Sequence, residues 1–356
     1  MTKLRAAGVF ALAATMFVQP VLAQSYGDDL TTPARMSPLT IRNPLNALVL
    51  AGSRLVAAGQ RGHIVYSDDD GKTWVQAKVP VRSDLTALAF PKPTLGWAVG
   101  HDGVVLHSQD GGASWVKQLD GNQAARTMAD YYAAEAAKGN AAAEQVMPEM
   151  ERVVAEGADK PFLDVWFANE KDGFIVGAFN MIFRTADGGK SWQPWFERTE
   201  NPNRLHLYAI RGNASEVFIV GERGLILRMP VGGERFAAVA SDYAGSYFGV
   251  LPTSEALFVF GMRGHVFRST NLGASWKQLP TGIGGGMNGG VSLGANRLVL
   301  VSAASDVLYS TNNGDSFDRL KPSRPMSLNA VAPGTAADTV VLVGARGVAT
   351  AQLNTK

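Results

Sequence analysis

No cysteine occurs in the 356 residues, and histidine occurs only five times. The first absence excludes a disulfide framework, a catalytic thiol and thiolate metal sites, and the second leaves few ligands for any metal centre. Charge is scarce too, with 18% of residues charged and 33 basic set against 31 acidic. General nucleic-acid binding needs a net positive footprint, so this balance excludes it. Beyond the first two dozen residues no segment is apolar enough to cross a membrane. The chain is instead rich in glycine, 39 residues without a collagen-like period, in a composition that is 46% hydrophobic. Such a balance belongs to an all-β protein with many hairpin turns and a core built without crosslinks.

Residues 1–23 read as a secretory signal peptide. Lys3 and Arg5 precede an uncharged apolar stretch from Ala6 to Val18, and Val21-Leu22-Ala23 carries small or aliphatic residues where a signal peptidase reads. The expected cut is Ala23–Gln24, leaving a periplasmic chain with 31 charges of each sign. The apolar stretch is short for a membrane anchor. No cysteine follows the cut, which excludes lipid attachment there. Residues 24–36 form an N-terminal segment before the folded domain.

From residue 37 onward the sequence repeats. A unit beginning Gly-Gln-Arg-Gly-His at Gly59 and ending at Trp74 returns at positions 100, 177, 221, 261, 302 and 344. The starts are 41, 77, 44, 40, 41 and 42 residues apart, so one interval holds an insertion and the rest agree on about forty. That is the length of a four-stranded propeller blade. Seven copies predict a seven-bladed β-propeller over 37–356. In blade two, the strands A to D are expected at 86–90, 96–100, 103–108 and 115–119. The last copy stops after its third strand. Pro38-Leu39-Thr40-Ile41-Arg42 is expected to supply the missing one and close the ring.

The C–D turns read Ser67-x-Asp69-x-Gly71-x-Thr73-Trp74, with close copies ending at Trp115 and Trp192. Asn271 and Asn312 replace the Asp in two further copies, and the box has decayed at Met229–Phe236. This pattern resembles the Asp box of bacterial neuraminidase repeats. An Asx side chain accepting backbone N–H groups, a glycine at positive φ and an aromatic beneath the loop make a structural turn. Asn in place of Asp argues against calcium or acid catalysis.

Antiparallel strands put the A–B and C–D turns on one face, and the B–C turns and D–A loops on the other. The second face carries Arg61, Arg223, Arg263 and Arg346 in the frame Gly-x-Arg-Gly, with Asp102, Phe179 and Ala304 at the equivalent positions. Arginine's planar fork suits carboxylate or phosphate. His63, His101 and His265 are expected near the same mouth as possible contacts, with Phe179, and no metal or cofactor is implied. The long interval, residues 121–160, reads as a helical hairpin at Gln123–Lys138 and Ala141–Glu156. Val146, Met150, Val153 and Val154 lie on one stripe of it. It serves either as a lid on its own blade or as a partner-binding arm. The loop Gly282–Gly290 lacks the Lys and Ser/Thr of a phosphate-binding loop.

With its signal peptide, seven blades and arginine-bearing turns, the chain resembles the photosystem II assembly and stability factors, in their non-photosynthetic bacterial branch. The resemblance covers 37–356 except the insertion. It implies a non-catalytic periplasmic protein that engages a membrane or membrane-associated partner, with an acidic segment meeting the arginine patch. An export permease of the resistance-nodulation-division type is one such partner. Two alternatives stay open. A lectin-like propeller binding a glycan or small solute would use Phe179, Tyr243, Tyr247 and Phe248 as platforms. A sialidase-like glycoside hydrolase would need an arginine triad and two facing carboxylates, for which Asp164, Asp242 and Glu255 are the available acids.

Overall fold

The computed structural model describes residues 27–336 and 338–353. The expected signal peptide lies outside the described residues. The chain folds into seven antiparallel sheets, six four-stranded and the last three-stranded. Their inner strands are Leu45–Ala51, Leu85–Lys92, Phe162–Phe167, Leu207–Gly212, Tyr247–Pro252, Met287–Gly294 and Leu328–Pro333. Each adjoins the inner strand of the next blade, and the last adjoins the first. The molecule is a seven-bladed β-propeller with a helical insertion between blades two and three.

The core consists of seven wedges, one between each pair of neighbouring blades. This explains why the second strands are continuous apolar runs. Side chains alternate along a strand, and here both faces are covered. In Arg297–Ser302 of blade six, Leu298 and Leu300 pack toward blade five while Val299 and Val301 pack toward blade seven. A polar substitution at any of these four would be buried without a partner.

Residues 38–42 do not form the closing strand. Thr40–Arg42 is a turn of 3-10 helix, and blade seven keeps three strands. Pro38 brings no N–H to a ladder. Ser37 and Thr40 offer the backbone a local alternative: the Thr40 hydroxyl donates to the Ser37 carbonyl (2.8 Å) and to Gln76 Oε1 (2.9 Å), which also accepts from the Ser37 N–H (2.8 Å). The turn lies against Gly347, where any side chain would strike the Ile41 carbonyl. Closure comes instead from the wedge that joins Leu45, Leu55 and Val65 to Val341 and Val343. Asn329 Nδ2 donates across this junction to the Leu45 carbonyl (2.9 Å), and the Thr335 N–H donates to Asp70 Oδ1 (2.6 Å).

The insertion is a helical hairpin of α1 (Gly121–Ala137) and α2 (Ala141–Glu156). Asp120 and Gln123 cap α1 reciprocally, and Asn140 caps α2. Ala124, Met128, Tyr132, Val146 and Met150 enter the wedge between blades two and three beside Phe183, Trp192 and Phe196. The Tyr132 hydroxyl donates to Glu197 and accepts from the Phe196 N–H (3.0 Å); buried Glu149 pairs with Arg152 and Arg204. Its apolar stripe is therefore docked on its own propeller. Val154, expected on that stripe, is exposed.

Candidate partner-binding face

The two faces separate as strand direction requires. Asp-box turns bond to A–B hairpins: Gly111 N–H to the Thr94 carbonyl (3.0 Å), Gly188 N–H to Lys171 (3.0 Å) and Asn313 N–H to Asn296 (2.8 Å). On the other face, the B–C turns touch the D–A loops. Gly224 N–H donates to the Gly245 carbonyl (2.7 Å), and the Thr281 hydroxyl donates to the Gly264 carbonyl (2.8 Å).

In each intact Asp box the Ser or Thr and Asx side chains are satisfied within the turn. In blade one, Asp69 Oδ1 accepts from the Thr73 N–H (2.8 Å) and Oδ2 from the Thr73 hydroxyl (2.6 Å). Ser67 Oγ accepts from the Gly71 N–H (2.9 Å), and Trp74 Nε1 donates to the Gly71 carbonyl (3.0 Å). The hydrogen bonds from Thr73 hold the Asp69 carboxyl down to about 2. At Asp110 and Asp187 burial opposes the shift, but hydrogen bonds from Ser114 and Ser191 outweigh it and lower both. Asn271 fills the same role by accepting the Ser275 N–H (2.9 Å) and donating to the Ser275 hydroxyl (2.9 Å). The interchange of Asp and Asn follows from this geometry.

The B–C turns place polar groups differently. In blade one the turn closes with Gly59 N–H to the His63 carbonyl (2.9 Å) and His63 N–H to Gln60 (3.1 Å). Gly62 lies against the Val81 carbonyl, where a side chain has no room. The preceding residue is forced into the left-handed region. Arg61, Asp102, Phe179, Arg223 and Arg263 all adopt it, with φ between 50 and 58°. Left-handed non-glycine residues carry strain, and five in register place five side chains outward at equivalent points. Blades six and seven depart from this. Ala304 does not adopt it, and Arg346 sits in a two-residue hairpin between paired Gly344 and Gly347.

All four arginines of the frame are exposed. Among the described residues none of their guanidinium groups makes a hydrogen bond or ion pair. Several arginines elsewhere hold carboxylates, Arg54 with Asp68, Arg228 with Glu216, Arg268 with Asp315 and, in the central channel, Arg211 with Asp164, while Arg235, Arg297 and Arg324 donate to backbone carbonyls. The acids beside the patch are turned to backbone. Asp84 accepts the Arg61 N–H (2.7 Å), and Glu222 accepts the His206 N–H (2.9 Å).

The histidines do not form a ring. His63 is buried, 3.3 Å from Asn43 Nδ2, and burial pushes its pKa down, so it is neutral at pH 7. His265 is half-buried against Tyr243, with ring centroids 5.0 Å apart. His101 is exposed, as is Phe179 at 44%. Tyr247 lies in the core and is not a platform, whereas Phe248 is half-buried at the channel. Of the three acids, Asp164 is buried and accepts from the Val165 and Ile210 N–H groups as well as Arg211. Asp242 lies in a D–A loop and Glu255 in an A–B turn, on opposite faces. The three acids do not converge on one bond.

A ring of residues at the channel mouth was not singled out from the sequence. In each blade the second residue of the inner strand is skipped by the register with the next strand, a β-bulge that turns it into the channel. These are Asn46, Thr86, Leu163, Tyr208, Phe248, Asn288 and Asn329. They stand 13 to 15 residues before the B–C turn, an offset that aligning the repeats exposes. Four of them clasp the next blade. Asn46 donates to the Leu85 carbonyl (2.8 Å), Thr86 to Phe162 (2.7 Å), Asn288 to Leu328 (2.8 Å) and Asn329 to Leu45. Leu163, Tyr208 and Phe248 have no side-chain donor placed for such a clasp.

With this geometry in place, three comparisons agree. The profile of the family described as "Photosynthesis system II assembly factor YCF48" matches residues 147–288, from α2 into blade six. The photosystem II assembly lipoprotein Ycf48 of Synechococcus sp. (strain CC9902) is 29% identical over 115 residues, 32% of this chain and 33% of that protein. The photosystem II assembly protein Ycf48 of Synechococcus sp. (strain JA-2-3B'a(2-13)) is 29% identical over 167 residues, 42% and 48% of the two chains. The chain thus spans about a third to a half of the length of these relatives. In three dimensions, a structure described as "YCF48 bound to D1 peptide" superposes with a TM-score of 0.64 at 15% identity, covering 89% of this chain and 95% of that one. In profile, in relatives and in fold, this chain is a seven-bladed Asp-box propeller that resembles the photosystem II assembly factors.

Proposed function

We propose that this propeller is a non-catalytic binding protein that assists a membrane-protein partner, and that it holds an acidic segment of that partner on its arginine face. The observation that carries the reading is the contrast in pairing. Arg61, Arg223, Arg263 and Arg346 project without a carboxylate on a chain that is near neutral and in which most strand arginines, Arg54, Arg211, Arg228 and Arg268 among them, are paired. An exposed, uncommitted guanidinium is ready to take a carboxylate from outside. The solved relative's description names a bound D1 peptide, and the curated relatives are assembly proteins. Both support a partner of the membrane-protein class, of which an export permease of the resistance-nodulation-division type is one member. No helix among the described residues is long and apolar enough to cross a membrane.

The periplasm is the proposed compartment, on the strength of residues 1–23. N-terminal sequencing of the exported protein is expected to begin at Gln24, and retention of Met1 would overturn it. The binding reading is tested by crosslinked pull-down from membranes, comparing wild type with Arg61→Glu, Arg223→Glu, Arg263→Glu and Arg346→Glu combined. Loss of capture with an unchanged melting temperature supports the reading; equal capture at about 20–50 mM salt, where screening is weak, overturns it.

A further inference from the structure

The seven bulge positions divide the channel mouth unequally. Blades one, two, six and seven fill it with amide or hydroxyl side chains tied to the neighbouring blade, so those side chains are committed to the ring. Blades three, four and five fill it with Leu163, Tyr208 and Phe248, all half-buried at the cavity. From the last two an aromatic row runs outward. Phe248 and Tyr208 are 5.7 Å apart, Tyr208 and His206 6.1 Å, and His206 and Phe179 4.5 Å, all edge-on.

The row is held in place. His206 Nδ1 accepts the Phe179 N–H at 2.8 Å, which assigns its proton to Nε2, and the His206 N–H is fixed by Glu222. Phe248 rests near Gly286, where an added Cβ would stand 3.2 Å from its ring. At its outer end Phe179 is a bulky aromatic in the left-handed region, φ 53°, and 44% exposed. Neither strain nor exposure of a phenyl ring favours the fold. The strain is common to this turn position in five blades, whereas the exposure of the ring is accounted for if a ligand covers it. Phe179 occupies the turn position that Arg223 and Arg263 occupy in the next two blades.

We propose that this arc, Phe179, His206, Tyr208 and Phe248, is the specificity-determining subsite of the arginine face and receives one aromatic or long aliphatic side chain of a peptide. Acidic residues flanking that side chain meet Arg223 and Arg263. The proposal rests on the reading that the arginine face takes an acidic segment, and it adds the sequence that the segment must carry. Charge complementarity selects a peptide over a neutral glycan: the unpaired guanidiniums beside the arc require carboxylates on the occupant.

The test uses two synthetic peptides of about a dozen residues, acidic and identical except for a central Phe or Ala, titrated onto wild type, the double variant Phe179→Ala/Phe248→Ala, and Arg223→Glu/Arg263→Glu. Wild type is expected to prefer the Phe peptide by about ten- to a hundredfold, the range for burying one such side chain. The aromatic variant should bind both peptides alike, at the wild-type affinity for the Ala peptide, with its fold verified by circular dichroism. A milder Phe179→Leu change should keep the preference. The arginine variant should lose both peptides. Equal binding of the two peptides by wild type, or a preference that survives the double aromatic change, overturns the subsite while leaving the arginine reading intact. If wild type binds neither peptide, both fail. If a neutral oligosaccharide binds at the arc and the peptides do not, the occupant is wrong.

Discussion

The two faces of this propeller are built from the same repeat and differ in what their polar groups do. On the Asp-box face, a serine or threonine, an Asx residue and a glycine satisfy one another within eight residues, and the blade-two and blade-three carboxylates are fully engaged. On the opposite face the B–C turn of five blades projects a left-handed residue outward, and among the described residues no guanidinium of the three arginines at that position holds a carboxylate. Self-satisfied polar turns stabilise a fold and have little left for a ligand. Unsatisfied ones at strained positions contribute nothing to the fold and are free to bind.

The largest expected effect that would sharpen this contrast is on binding. Reversing the four frame arginines should reduce partner affinity by at least about a hundredfold, since charge-assisted pairs are the strong class of hydrogen bond, and leave the melting temperature unchanged. A lowered melting temperature would show that the patch braces its turns. The mirror experiment is Ser108→Ala in blade two. It strips the acceptor from the Gly112 N–H, buried at 2.9 Å, and should cost about 1–3 kcal/mol in chemical denaturation with partner binding of the folded protein intact. Loss of binding without loss of stability would exchange the roles of the faces.

Acid should separate the faces more gently. Asp69 sits at about 2 in the fold against an ordinary value of 3.8. A carboxyl depressed by folding stabilises fully above its unfolded value, and that contribution disappears as pH falls from about 4 toward 2. Melting temperatures should drop through that window. Asp69→Asn, Asp110→Asn and Asp187→Asn together should flatten the drop, because blades five and six already make the turn with Asn. The smallest effect is at ring closure: Asn329→Ala removes two interblade hydrogen bonds, to the Leu45 carbonyl and to Asn46 Oδ1, and should cost about 1–2 kcal/mol. Deleting residues up to Arg42 should lower stability through lost packing of Leu30 and Ala34 while blade seven keeps its three strands.

Much of the architecture was legible because it is local. The forty-residue period, the Asp boxes and the division of turns between faces follow from spacings of a few residues and from strand alternation, which neighbouring side chains enforce. The arginine frame was legible for the same reason, apart from Arg346, whose turn lost its left-handed residue when the third strand of blade seven paired from Gly347 onward. The helical hairpin was placed nearly to the residue, its caps being encoded at Asp120 and Asn140.

Other features belonged to the tertiary structure alone. The sequence of 38–42 looks strand-like, but Gln76, more than thirty residues away, draws Ser37 and Thr40 into a turn. His63 stands two residues after an exposed arginine yet is buried, 3.3 Å from Asn43, which lies twenty residues earlier in the chain. What covers the hairpin's apolar stripe was decided by blade three, where Tyr132 finds Glu197. The amino acids at the channel mouth were determined by the sequence, but their division into a clasped half and an aromatic half was not. Asn329 can hold Leu45 only once the ring has brought residues 284 apart in sequence together, and that closure, a balance of packing over the whole chain, is set by no local signal.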